Sequence, residues 1–140
     1  MGPLFDAVIN DLGKDKVSII FKHFPLSFHK NAQLAAEASM AAHAQGKFWE
    51  YHDLLFANMK QLERPNLEAY AQQAGLDLTQ FKSALDQGLY AERVKEDMSV
   101  CQKAGTSGTP TIFVNGRKYE GPREGDKMAA LIRKEILKEK

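Results

Sequence analysis

One thiol, four imidazoles and one proline-containing loop are the groups in this 140-residue sequence whose types could do chemistry. Cys101 is the single cysteine. One thiol closes no disulfide within the chain. It also cannot run dithiol exchange, in which one thiolate attacks a disulfide and a second thiol resolves the mixed disulfide. It assembles no zinc site of ordinary ligand spacing. Two readings of Cys101 stay open. It lies three residues after Met98 and seven after Val94, which places it on a core-facing stripe, as suits a residue type that is usually buried. As a monothiol, redox-sensing or forming an intermolecular disulfide, it needs exposure and a lowered pKa. His23, His29, His43 and His52 lack spacing of the His-Glu-x-x-His kind, so no metal is expected. His23 and His29 bracket the Pro25 turn and are expected to make local hydrogen bonds. His52 and Asp53, adjacent on a helix, are expected to diverge and form no pair. Thr109-Pro110 reads either as a cis bond fixing a tight loop or as a trans proline opening a strand.

The elements that must position these groups follow from periodicity and punctuation. Leu4, Phe5, Val8, Ile9 and Leu12 recur at helical spacing over residues 3–12, with Pro3 in the first turn and Gly13 as the stop. Residues 17–24 (VSIIFKHF) read as a strand apolar on both faces and ended by Pro25. Residues 32–104 are helical almost throughout, broken at Gly46, Pro65, Gly75 and Gly88. Each segment carries one apolar stripe: Leu34, Ala38 and Ala41; Phe48, His52, Leu55 and Met59; Leu67, Tyr70 and Ala74; Leu78, Phe81 and Leu85; Tyr90, Val94, Met98 and Cys101. Asp77 is the expected N-cap of the helix holding Phe81. Two short strands flank Asn115-Gly116, a dipeptide suited to a type I′ hairpin. A last helix is expected from Arg123 to Leu137.

Composition narrows the partners. The chain is 44% hydrophobic, with 19 Lys+Arg interspersed among 18 Asp+Glu, for a formal net charge of +1. That is no basic footprint for nucleic acid. No segment approaches the roughly 20 apolar residues of a membrane span, and no signal-peptide pattern precedes residue 6. One domain is expected from this length.

Three stretches then carry a resemblance to the DsbA-like disulfide oxidoreductases of the thioredoxin fold. They are residues 21–32 (FKHFPLSFHKNA), residues 46–56 (GKFWEYHDLLF) and residues 105–116 (GTSGTPTIFVNG). The resemblance implies an α/β fold: a thioredoxin-like core in residues 1–31 and 105–140, and an inserted α-helical subdomain in residues 32–104. In that family a front strand leads into Cys-Pro-x-Cys, and Pro3-Leu4-Phe5-Asp6-Ala7-Val8 looks like the piece after it. The resemblance therefore implies that the active-site strand and both catalytic sulfurs precede this sequence, leaving no catalytic residue, metal or cofactor in it. It makes Thr109-Pro110 the cis-proline loop, with the Thr109 backbone meeting an extended substrate peptide. It implies protein or peptide thiols as the parent's substrates and a periplasmic or extracytoplasmic setting.

The absent strand would be central, so its neighbours would keep unpaired edges at about 1–3 kcal/mol per buried group. Self-association by strand exchange or sheet pairing is expected to close that slot. The expected function is membership of this oxidoreductase family with no redox activity in the chain as it stands. The alternative is a redox-dead thioredoxin-fold module that binds peptides or proteins. A glutathione-transferase-like relative has little support, because the serine such enzymes use is also absent.

Overall fold

Proline and glycine set where the first helix begins and ends. Helix α1 spans Pro3–Leu12, with Pro3 in its first turn, where a missing N–H costs nothing. Gly13 follows at φ 99°, a conformation that stops the helix and suits glycine. The computed structural model describes residues 2–138. These form two compact units: the residues up to Phe21 together with those from Gly108 onward, and Lys22–Ser107.

In the first unit, α1 packs against α7 (Gly125–Leu131), which continues into a π-helical turn at Ile132–Ile136. The expected helix 123–137 is thus shorter at its start and changes pitch at its end. Strands β1 (Phe113–Val114) and β2 (Arg117–Lys118) pair antiparallel, with Phe113 opposite Lys118 and Val114 opposite Arg117. The two-residue turn between them has positive φ at both Asn115 and Gly116, as a type I′ turn requires. Val8 and Leu12 meet Tyr119, Met128, Ala129 and Ile132 in a small core, with Val17 and Ile112 against it.

The strand expected over residues 17–24 is not found: among the described residues the hairpin is the sole ladder. Val17 and Ile19 are half-buried, while Ser18 and Ile20 point outward, so the alternation of a strand is kept without a partner. Strand-forming residues supply the side chains; a neighbouring backbone must supply the ladder.

The second unit holds five helices: α2 (Ala32–Ala44), α3 (Phe48–Ala57), α4 (Arg64–Gln73), α5 (Leu78–Asp86) and α6 (Ala91–Lys103). Pro65 starts α4 and does not interrupt it, again because a proline is free of cost in a first turn. Residues 22–31 group with this unit, where Lys22 and His23 both bond to Asp97 on α6. The core joins Ala38, Ala42, Tyr51, Leu67, Ala71 and Phe81, among others. Small residues on α2 let the other helices approach closely. On α3 the expected stripe holds at His52, which is buried, and at Leu55, which packs on the core, but Tyr51 is fully buried beside it, and Met59 lies beyond the helix end and is exposed.

Asp77 caps α5, accepting the Gln80 N–H at 2.9 Å. Asp77→Ala should lower stability by about 1 kcal/mol. Urea unfolding followed by circular dichroism would measure this, and an unchanged midpoint would refute the cap's role.

Candidate functional site

The Thr109-Pro110 loop is built within the first unit. Its peptide bond is cis. The loop is held on both sides of Thr109. The Thr111 hydroxyl donates to the Gly108 carbonyl at 2.7 Å, and the Arg123 guanidinium donates to the Pro110 carbonyl at 3.0 Å. The Tyr119 N–H donates to the Ile112 carbonyl at 2.8 Å and extends the hairpin toward the loop. Thr109 and Pro110 are both exposed. Among the described residues, neither the N–H nor the carbonyl of Thr109 takes part in a hydrogen bond. An exposed backbone with an open donor and acceptor, between anchored neighbours, can add an extended peptide as a strand adds to an edge.

Cys101 sits on α6 in the second unit and is half-buried, neither deep in the core nor open. Burial pushes its thiol pKa up, and the nearby Asp97 carboxylate pushes the same way, with Lys22 opposing. A thiolate is therefore disfavoured, so the lowered pKa that monothiol chemistry requires is absent.

The polar centre of this unit is Asp97, which the sequence reading passed over. Its carboxylate accepts the His23 N–H at 3.1 Å and the Lys22 ammonium at 3.0 Å, with Arg93 at 3.8 Å. Burial alone would raise the Asp97 pKa, but these donors more than offset it and hold the carboxyl below its ordinary range. His23 is 5% exposed. Its ring stands edge-on to Phe48, with centroids 6.2 Å apart, and His43 meets Phe48 similarly at 6.1 Å. His29 lies in an exposed turn, its ring against Phe28 and its N–H donating to the Leu26 carbonyl.

His52 and Asp53 do not diverge as expected. His52 Nδ1 lies 3.0 Å from Asp53 Oδ1. The α-carbons of adjacent helical residues project apart, but Nδ1 lies near its own backbone, where a short carboxylate can fold back to it. The Asp53 side chain is half-exposed, and the His52 ring is packed among Trp49 and Phe56. Among the described residues, no group of three His, Cys, Asp or Glu side chains could hold a metal ion.

A hairpin and terminal helix carrying a cis-proline loop, joined to a helical unit of five helices, define a thioredoxin-like fold. The thioredoxin family model matches residues 4–134. Among solved structures, oxidised BdbD from Bacillus subtilis superposes with a TM-score of 0.69 at 27% identity, covering 80% of this chain and 65% of that one. A thioredoxin-like oxidoreductase from Silicibacter pomeroyi DSS-3 superposes with a TM-score of 0.72 over 95% of this chain and 79% of that one. At 21% identity it speaks for the fold alone. The chain belongs to the thioredoxin family, with a DsbA-like thioredoxin fold.

The curated relatives it matches are described as Na(+)/H(+) antiporters. NhaA 3 of Salinispora tropica is 38% identical over 130 residues, which are 91% of this chain and 20% of the antiporter. NhaA 1 of Salinispora arenicola is 40% identical over 117 residues, 83% and 18% respectively. The chain thus spans about a fifth of these relatives' length. No helix among its described residues is long and apolar enough to cross a membrane.

Proposed function

We propose that this polypeptide is the substrate-binding part of a DsbA-like thiol–disulfide oxidoreductase and has no dithiol chemistry of its own. The observation that carries this reading is its single thiol, Cys101, whose surroundings favour the protonated form. Without a second sulfur, a mixed disulfide formed at Cys101 has no resolving partner within the chain. Protein or peptide thiols are the partners, met through the Thr109 backbone, whose neighbours Gly108 and Pro110 are already engaged.

Two measurements test this. In insulin reduction with dithiothreitol, the 140-residue chain should not exceed the uncatalysed rate; turnover above background would overturn the redox half. In an amide-resolved titration with an unfolded, cysteine-containing peptide, the Thr109 resonance should shift ahead of those in α4 and α5. A Thr109 signal that stays fixed while the peptide binds elsewhere would overturn the binding half.

Self-association belongs to the same proposal. Ile20 is 76% exposed beside the partly exposed Phe21, on a strand-patterned segment that has no ladder among the described residues. Such an edge is a template for another strand. Light scattering should show a concentration-dependent dimer that Ile20→Lys weakens. A monomer at every concentration would rule this out.

A further inference from the structure

Three alternate carbonyls in and after the Thr109-Pro110 loop are engaged. That of Gly108 accepts from the Thr111 hydroxyl, that of Pro110 from the Arg123 guanidinium and that of Ile112 from the Tyr119 N–H. Two of these donors lie beside the loop or in its hairpin. The third comes from a side chain beyond the hairpin, two residues before α7. Proline has no N–H, so its carbonyl is the one backbone group by which residue 110 can be held. Among the described residues Arg123 is its sole donor.

The arginine is itself held in place. Pro122, just before it, is pinned through its carbonyl, which takes the hydroxyl of the buried Tyr119 at 2.8 Å. Gly125, two residues after it, lies so close to α1 that a Cβ there would meet Ala7. The backbone that carries Arg123 is therefore fixed on both sides. No carboxylate competes for the guanidinium: among the described residues Arg123 enters no ion pair, and the adjacent Glu124 pairs with Lys127. An arginine so placed acts on the loop backbone and not on the surface charge.

We propose that Arg123 is a positioning residue for the peptide site, whose hold on the Pro110 carbonyl keeps the open N–H and carbonyl of Thr109 in one orientation for an incoming strand. This rests on the reading of Thr109 as the residue that meets the peptide. It adds that the loop is ordered before the peptide arrives, and by which group. Without Arg123, residues 109 and 110 keep no backbone hydrogen bond in the free protein. The cost of ordering them would then fall on the binding step.

The test compares Arg123→Ala, Arg123→Lys and Arg117→Ala in the full chain, with the unfolded, cysteine-containing peptide as probe. Arg117, also exposed, lies on β2, so its loss removes the same charge without touching the loop. In the free protein the NMR order parameter of the Thr109 amide should fall from about 0.85 toward about 0.6 in Arg123→Ala and stay high in Arg117→Ala. Peptide affinity should fall by roughly fivefold in Arg123→Ala at a little-changed urea midpoint. Arg123→Lys, which keeps a donor for the carbonyl, should recover most of it. An order parameter or an affinity that Arg123→Ala leaves unchanged overturns the positioning role while the peptide site stands. An equal loss in Arg117→Ala also overturns it, by assigning the effect to charge. So does a loss that follows a lowered urea midpoint and is not relieved by lysine. A wild-type Thr109 signal that ignores the peptide overturns the site itself, and this role with it.

Discussion

Phe81→Ala should cost the helical unit about 3–5 kcal/mol. Phe81 has no exposed surface, and its ring lies 5.6 Å, centroid to centroid, from that of Tyr51, which is equally buried. Truncation removes the ring's transfer energy and leaves a void that four helices must partly refill. They cannot close far. The Tyr51 hydroxyl donates to the Leu67 carbonyl at 2.9 Å, and the Tyr70 hydroxyl donates to the Gln61 carbonyl at 2.8 Å, so both neighbours are pinned. Small domains have total stabilities of about 5–15 kcal/mol, which makes this loss a large part of the whole. Denaturant unfolding would show it as a lower midpoint at unchanged slope, while Phe81→Leu should retain most of the stability. A cost below about 1 kcal/mol for the alanine variant would mean that the Tyr51–Phe81 pair is not the keystone of this core.

Much of this architecture was legible because apolar periodicity and chain punctuation report directly on helices. Pro3 and Gly13 bound α1, Asp77 caps α5, and Asn115-Gly116 turns the hairpin, each through a local backbone preference. What escaped was non-local. Asp97 reads as a polar residue on an amphipathic helix, yet it is nearly as buried as Val94 on the same helix. Its satisfaction comes from residues 22 and 23, which no window along the sequence connects to it. On α3, Phe48, His52 and Leu55 suggested the buried stripe. The choice of Tyr51 depends on where its hydroxyl finds an acceptor, the Leu67 carbonyl on α4. Residues 17–24 carry the composition of a strand, but a ladder belongs to two segments, and composition names only one of them. The Thr109-Pro110 loop was visible locally as a proline before apolar residues and no more. Its reading as a peptide-binding loop came from the resemblance, and the Arg123 anchor on its carbonyl had no sequence signal at all.

Gly125→Ala should destabilise the first unit by about 1–3 kcal/mol, although alanine is the better helix former. Gly125 is the first residue of α7, where α1 crosses it. A Cβ at this position would run into the Cβ of Ala7, with the Leu4 carbonyl oxygen 3.1 Å away. Both obstacles belong to the helix itself and not to the end of a flexible side chain. The clash can be relieved only by moving α1 away from α7. Val8, Leu12, Met128 and Ala129 would then lose contact in the small core between them. At a first-turn position the propensity gain of alanine is at most about 1 kcal/mol, less than the packing it disturbs. The test is a double-mutant cycle with Ala7→Gly. That change alone should cost about 0.5–1 kcal/mol as a glycine inside α1. With Gly125→Ala it should restore the space, so that the pair costs less than the sum of the two. Strict additivity, or a stabilised Gly125→Ala protein, would show that the helices have room to part and that close approach is not what glycine provides here.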